Sequence, residues 1–216
     1  MAEVVIAVRG GAAAKSRCRG ALGTRGCAEL VNAMLADMLE ALKAAQGVQR
    51  VHVITPTAAI ADLAAEMGAR VIREGRAQGL NEAFHQARRE VARHRPEATL
   101  VLLPGDLPLL DPVELERTIT LHSPEAVVLC PATGDGGTGA LVLRADTPFA
   151  FAFGPRSFRL HIAAVHSLGL TPRVVNARSL GFDFDSPADI ATVLTNRGMG
   201  RTAAHLHGLG VTGAAA

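Results

Sequence analysis

A strict alternation in the first half of the chain constrains its fold more than any other feature. Short runs of apolar, mostly β-branched residues occupy positions 3–8, 51–54, 70–72 and 99–103. Between them lie segments with helical spacing at 24–45, 57–67 and 79–94. In the first of these, Leu30, Met34, Leu35, Met38, Leu39 and Leu42 form one apolar stripe, as in a helix packed on a core. Gly68 follows the second segment where a C-terminal cap belongs. The order β-α-β-α-β-α-β predicts a parallel sheet with helices on both faces. Its strands are buried on both sides, so they read as continuous apolar runs.

The second half departs from this rhythm. It predicts a helix at 113–121, a strand at 126–130, and a glycine-rich loop at 133–139 leading into a strand at 140–144. A helix at 157–168, an extended piece at 173–175 and a closing helix at 187–194 follow. No internal repeat or linker interrupts the chain. Residues 1–196 therefore read as one domain, and the Gly/Ala-rich stretch 197–216 as a loosely held tail.

Composition excludes several classes. Hydrophobic residues at 49% against 19% charged residues rule out a disordered chain. The longest apolar run stops at Pro104, far short of a membrane span. The start of the chain does not look like a signal peptide, since Arg9 interrupts the first strand-like run. A cytoplasmic protein with no membrane partner is expected. The net charge is only +2, and 20 Arg against 2 Lys beside 39 Ala reflects coding bias more than basicity. With Phe the sole aromatic type, there is no stacking platform and no sign of nucleic-acid binding. Cys18, Cys27 and Cys130 contain no CxxC pair, which argues against a zinc ribbon or disulfide framework.

Ligands of an open α/β sheet gather at the carboxyl ends of its parallel strands, and four unusual segments follow strands here. In the first, Gly10 and Gly11 allow close backbone approach to a phosphate, while Arg9, Lys15 and Arg17 bring positive charge. It is not a P-loop, because GxxxxGK[ST] is absent. In the second, Gln78-Gly79-Leu80-Asn81 opens a helix, where Asn81 could cap the helix or meet a base edge. In the third, Asp106 emerges from the most apolar strand between Pro104 and Pro108. An uncompensated carboxylate there would be costly, and a divalent cation such as Mg2+, shared with phosphate oxygens, is a natural partner. In the fourth, Asp183 and Asp185 lie two apart, so on an extended segment they share a face opposite Phe182 and Phe184. Asp185 is also placed to cap the closing helix.

Two anion-site candidates lie between these segments. The loop 133–139 reads as either a backbone nest or a hairpin turn. Gly154, Arg156 and Ser157 stand at the start of a helix, where free N–H groups and a hydroxyl favour an anion. Arg156 would add a planar, permanently charged fork for a carboxylate or phosphate. His161, four residues after Ser157, shares its helix face. The other seven histidines are scattered, and neither HExxH nor GxSxG occurs. Covalent catalysis is not expected.

In order along the chain, the AKSR loop, GLNEA, LPGDLPLL, DGGTGAL, FGPRSFRLH and FDFDSPADI resemble the 2-phospho-L-lactate guanylyltransferase family. That family acts in biosynthesis of coenzyme F-420, and some members use phosphoenolpyruvate or 3-phospho-D-glycerate instead. The resemblance runs from about Val4 to Ile190. Each motif alone is weak; six in register are specific. It implies a three-layer α/β/α sandwich with a mostly parallel central sheet, similar to nucleotide-diphospho-sugar transferases. It implies that Asp106 holds the metal, with Asp185 the second carboxylate and Asp183 close behind. Thr138, Gly154 and Ser157 match positions that hold the small phosphorylated acid. Arg9, Lys15 and Arg17, with Gly10 and Gly11, match the loop around the triphosphate. Gln78, Gly79 and Asn81 match the stretch that faces guanine and ribose. The chain departs from the family in having Ala7 for Pro, Arg9 for Lys, Gly139 for Asn and Arg156 for a small residue. The last two border the acceptor site and bear on which acid is used.

The implied reaction joins GTP to a phosphorylated three-carbon acid and releases pyrophosphate. A phosphomonoester is largely dianionic near neutral pH, so no general base is needed, in keeping with the absence of a convincing one. The implied partners are GTP and the acid, with a homodimer as one open assembly. Two alternatives stay open. One is another nucleotidyltransferase of similar fold, such as a molybdopterin guanylyl- or cytidylyltransferase, although Gly10-Gly11 followed by three Ala fits its fingerprint poorly. The other is a non-catalytic nucleotide-binding regulator, which loss of Asp106 or Asp185 would have favoured.

Overall fold

The computed structural model describes residues 1–10, 14–75, 78–196 and 200–211. Seven strands form one sheet: β1 (Ala2–Ala7), β2 (Val48–Thr55), β3 (Arg70–Arg73), β4 (Thr99–Pro104), β5 (Ala126–Pro131), β6 (Thr138–Arg144) and β7 (Thr171–Val174). Their spatial order is β3-β2-β1-β4-β6-β5-β7. β1 pairs in parallel with both β2 and β4, and β2 with β3, as the alternation predicts. β6 runs antiparallel to both β4 and β5, while β7 lies parallel to β5. The start of β6 therefore lies at the same sheet edge as the ends of β1 and β4.

The helices are α1 (Arg19–Ala44), α2 (Ala58–Glu66), α3 (Leu80–His94), α4 (Pro112–Thr120), α5 (Ser157–Ser167), α6 (Arg178–Gly181), α7 (Asp189–Thr195) and α8 (Arg201–Gly208). Alternate strand residues face opposite layers. Val4, Ile6, Val101 and Leu103 pack with the α1 stripe, whereas Val5, Ala7, Leu100 and Leu102 pack with Phe84 of α3 and Val165 of α5. The result is the three-layer sandwich, with α3 and α5 covering the second face. Helix α1 breaks at Gly23, whose φ of 69° is left-handed; regular helix resumes near the predicted start at 24. Among the described residues no helix is long and apolar enough to cross a membrane.

The expectation of a loosely held tail from 197 onward is corrected for its described part. Helix α8 buries Ala203 and Leu206 in the same core as α1. Its first turn is capped from a distance: Asp37 accepts the N–H groups of Arg201 and Thr202 at 2.6 and 2.9 Å. Eight of the tail's residues thus carry an apolar stripe that the abundance of Gly and Ala conceals. All three cysteines are buried free thiols.

Candidate active site

A cavity of about 520 Å³ opens along the sheet edge formed by the ends of β1 and β4 and the start of β6, within the usual range for small-molecule sites. Close backbone approach builds its floor. A Cβ on Gly105 would come within 2.9 Å of the Ala7 carbonyl oxygen, so glycine lets the LPGD turn lie against β1. Gly139 and Gly181 do the same for α6: a side chain on the former would overlap the Leu180 carbonyl, and one on the latter would sit 2.7 Å from the Pro131 oxygen. Docked this way, α6 delivers the segment after it to the LPGD turn, where the Phe184 N–H donates to the Asp106 carbonyl at 2.9 Å.

Phe182 and Phe184 pack into the core while Asp183 and Asp185 line the cavity, as their spacing predicts. Sequence reasoning found no cation partner for Asp106; the structure supplies Lys15. Its Nζ donates to Asp106 Oδ2 at 2.8 Å and to Asp185 Oδ1 at 3.1 Å. Burial alone would lower the Lys15 pKa, but the two carboxylates outweigh it and raise the pKa above the usual lysine value. Lys15 sits in a left-handed turn with φ 49°, and its carbonyl accepts from the Cys18 N–H and the Cys27 thiol.

One ammonium does not balance this group. Asp106 Oδ1 is buried and receives no hydrogen bond. The Asp183 carboxyl is pushed up to about 6 by burial and by the negative charge of Asp106 and Asp185. The orphan acceptor and the excess negative charge both fit a divalent cation. Among the described residues no group of three or more His, Cys, Asp or Glu side chains is arranged to hold a metal ion by itself. Such an ion would therefore complete its shell with phosphate oxygens and water, as magnesium commonly does.

Thr138 and Gly154 also line the cavity, and Thr138 opens β6, the direct neighbour of the strand that delivers Asp106. Thr138 belongs to a buried relay. His161 Nε2 accepts the Ala152 N–H at 2.9 Å, which leaves Nδ1–H to donate to Thr138 Oγ1 at 2.8 Å. Ser157 Oγ also lies 3.2 Å from Thr138 Oγ1 and donates to it. With two donors already on its oxygen, Thr138 can turn its own O–H into the cavity. Burial lowers the His161 pKa to about 4, so the ring is neutral at neutral pH and this tautomer holds.

The structure places several predicted residues differently. Asn81 neither caps its helix nor faces the cavity: its amide accepts from the Phe153 N–H and donates to the Phe153 carbonyl, at 2.7 and 3.2 Å. Gly79 bends into α3 with φ 114°, and the side chain of Gln78 has no described partner while its N–H goes to Glu74. Arg9 lines the cavity, but its partner is Glu74, at 3.3 Å. Gly10 is small because α2 is close; a Cβ there would meet Ile60 at 2.9 Å. Gly11 lies outside the described residues. Arg17 is exposed at the cavity wall.

The helix start at Ser157 is not an open anion site. The N–H groups of Arg156, Ser157 and Phe158 are donated to the carbonyls of Asp135, Gly154 and Gly136. The loop 133–139 is the hairpin turn of the two readings, closed by the Gly137 N–H on Asp135 Oδ1 at 2.7 Å. Arg156, in a left-handed conformation with φ 62°, is exposed and does not line the cavity. Ser157 is fully buried and reaches the cavity only through Thr138. Asp185 does not cap α7; instead Asp189 accepts the N–H groups of Asp185 and Ser186.

The profile of the family described as "Guanylyl transferase CofC like" matches residues 2–214. The chain belongs to the CofC-like guanylyl transferase family. A 3-phospho-D-glycerate guanylyltransferase of Phenylobacterium zucineum is 45% identical over 195 residues, 89% of each chain. A phosphoenolpyruvate guanylyltransferase of Rubrobacter xylanophilus is 35% identical over 86% of this chain and 90% of its own. A 2-phospho-L-lactate guanylyltransferase of Methanothermobacter thermautotrophicus is 31% identical over 84% and 78%. Among solved structures, a nucleotidyl transferase from Methanothermobacter has the same fold, with a TM-score of 0.71 at 18% identity over 89% of this chain and 95% of that one. This CofC-like chain is thus a guanylyltransferase of nucleotidyltransferase fold.

Sequence reasoning missed two parts of this CofC-like site. Glu74, a buried carboxylate in the cavity wall, has a weak signal in an acidic residue directly after a strand. The other is the strap before α5, where Phe149, Phe151 and Phe153 are buried alternately and Phe153 packs 4.6 Å from Phe84 and 4.8 Å from His161. Its signal was legible as Phe at every second position from 149 to 153.

Proposed function

We propose that this chain transfers GMP from GTP to the phosphate of a small phosphorylated three-carbon acid, in the biosynthesis of coenzyme F-420. The observation that carries the reading is the cavity's polarity. One cavity is lined both by an acidic cluster around a charged lysine and by a donor hydroxyl on a buried relay. The 45% identity to a 3-phospho-D-glycerate guanylyltransferase makes that acid the first to test, before phosphoenolpyruvate and 2-phospho-L-lactate.

A phosphate oxygen of the acid forms a bond to the α-phosphorus of GTP. The bond from that phosphorus to the bridging oxygen of the pyrophosphate breaks, and pyrophosphate leaves with the electron pair. The attacking phosphate is already largely dianionic, so no side chain need remove a proton. The chain's task is to bring two anions together and hold them in line. Lys15 keeps its charge at any physiological pH, and with Arg17 it offsets the negative triphosphate. Thr138 donates its hydroxyl to the acceptor, and Gly154 leaves room beside it. Magnesium held by Asp106 with Asp185 and Asp183 would supply further neutralisation of phosphate charge.

Pyrophosphate release with GTP and each acid, with and without magnesium, tests the reading. Magnesium-dependent release with one acid, and GTP preferred over ATP, CTP and UTP, is expected. Asp106→Asn should lower the rate by about a hundredfold or more while leaving the fold intact. Metal-independent turnover, or a variant retaining more than roughly a tenth of the rate, contradicts the ligand assignment.

A further inference from the structure

The end of the cavity away from Asp106 must accommodate a base on this reading, and the residues that the resemblance directs there, Gln78, Gly79 and Asn81, are not among its lining residues. Asn81 spends both amide atoms on Phe153. Gln78 is exposed and contributes its backbone N–H to Glu74. What this end offers is the Glu74 carboxylate, whose side chain is only 3% exposed and which lines the cavity together with Ile54, Leu80 and Ala83. A carboxylate has about four lone-pair sites. The described donors, Arg9 Nη2 at 3.3 Å and the Gln78 N–H at 3.1 Å, both sit on Oε1. Among the described residues none donates to Oε2. The two donors fix the carboxylate's orientation and, among the described residues, leave half of its capacity unused.

Position favours a base over a ribose. Glu74 follows β3 and Asp106 follows β4, three strand spacings apart in the order β3-β2-β1-β4, or about 14 Å. With side chains reaching inward from both ends, that gap suits a nucleotide from its α-phosphorus to the far edge of its base. The apolar side chains at this end suit the faces of a flat ring.

We propose that Glu74 selects guanine, accepting the ring N1–H and the exocyclic 2-amino N–H. This rests on the GTP reading above. Adenine presents a lone pair at N1 where guanine presents a hydrogen, so a fixed carboxylate repels it. Xanthine keeps N1–H but has a carbonyl in place of the 2-amino group, which a carboxylate also repels. Hypoxanthine keeps N1–H and lacks the amino group.

Equilibrium dissociation constants for GTP, ITP, XTP and ATP, measured on the full chain and on Glu74→Gln, test the proposal without requiring turnover. The intact chain should bind GTP best, ITP roughly tenfold or more weakly, and ATP and XTP more weakly still. In Glu74→Gln the amide can accept from N1–H and donate to the xanthine carbonyl. Its preference for GTP over XTP should shrink by about a hundredfold or reverse. An equal loss for all four nucleotides, or an unchanged order, overturns the assignment. So does an intact chain that binds ATP as well as GTP. The intact chain's nucleotide order needs no folded variant, so the proposal stays testable if Glu74→Gln fails to fold. GTP selectivity in binding without pyrophosphate release would instead overturn the transferase reading and leave the role of Glu74 standing.

Discussion

His161 stays neutral because it is enclosed by Phe149 and Phe153 and because its Nε2 must accept a backbone N–H. The consequence has a definite sign. The unfolded chain takes up a proton near pH 6.5, whereas the folded chain refuses it until about 4. Stability should therefore fall as pH drops through that window, by up to about 3 kcal/mol from this group. His161→Gln, which preserves one acceptor and one donor, should flatten that part of a stability-versus-pH curve. Parallel curves for the two proteins would exclude His161 as the source. Arg156 makes a second case. It holds a left-handed conformation that glycine adopts freely, and it lies outside the cavity wall. Arg156→Gly should raise stability by about 0.5–1 kcal/mol and leave the ranking of acceptor acids unchanged. A shift in that ranking would show that the side chain reaches the acceptor.

At the scale of elements, glycine contacts decide whether the acidic segment reaches its partner. Helix α6 lies so close to β6 that any side chain at position 139 meets the Leu180 carbonyl. Gly139→Ala should displace α6, cost about 1–3 kcal/mol and move Asp183 and Asp185 off Asp106. Urea denaturation read alongside turnover should show activity falling further than stability alone accounts for; normal activity would mean that α6 shifts without carrying the segment. The first-half elements were legible because buried parallel strands and the long amphipathic helix after Gly23 leave strong periodic signals. Helix α6 has only four residues, too few to show a period. Lys15 as the partner of Asp106 was not legible either. The pairing spans 91 positions and depends on the order in which strands lie in the sheet. Likewise the amides and N–H groups at Asn81 and Ser157 looked available because sequence shows what a group can bond to, not what folding has already bonded it to.

For the whole molecule, α8 closes one side of the core without touching the cavity. Deleting everything after Asn196 removes Ala203 and Leu206 from their burial against α1, leaves Asp37 without the N–H groups it caps and should cost about 2–4 kcal/mol. Turnover at a temperature where the shortened chain stays folded should be close to that of the full chain. A large loss of rate there would give α8 a role at the site. The reversal of β6 reaches further. Because β6 runs against its neighbours, the hairpin and aromatic strap from 126 to 161 present Thr138 and Gly154 to the cavity as one contiguous stretch. Lys15, Glu74 and Asp106 all come from the part of the chain before it. On the proposed reading, donor and acceptor recognition would be written on separate lengths of chain, like two cassettes facing one slot, with Asp183 and Asp185 following both. A lineage could exchange the second cassette and change the molecule it modifies while keeping the nucleotide it spends.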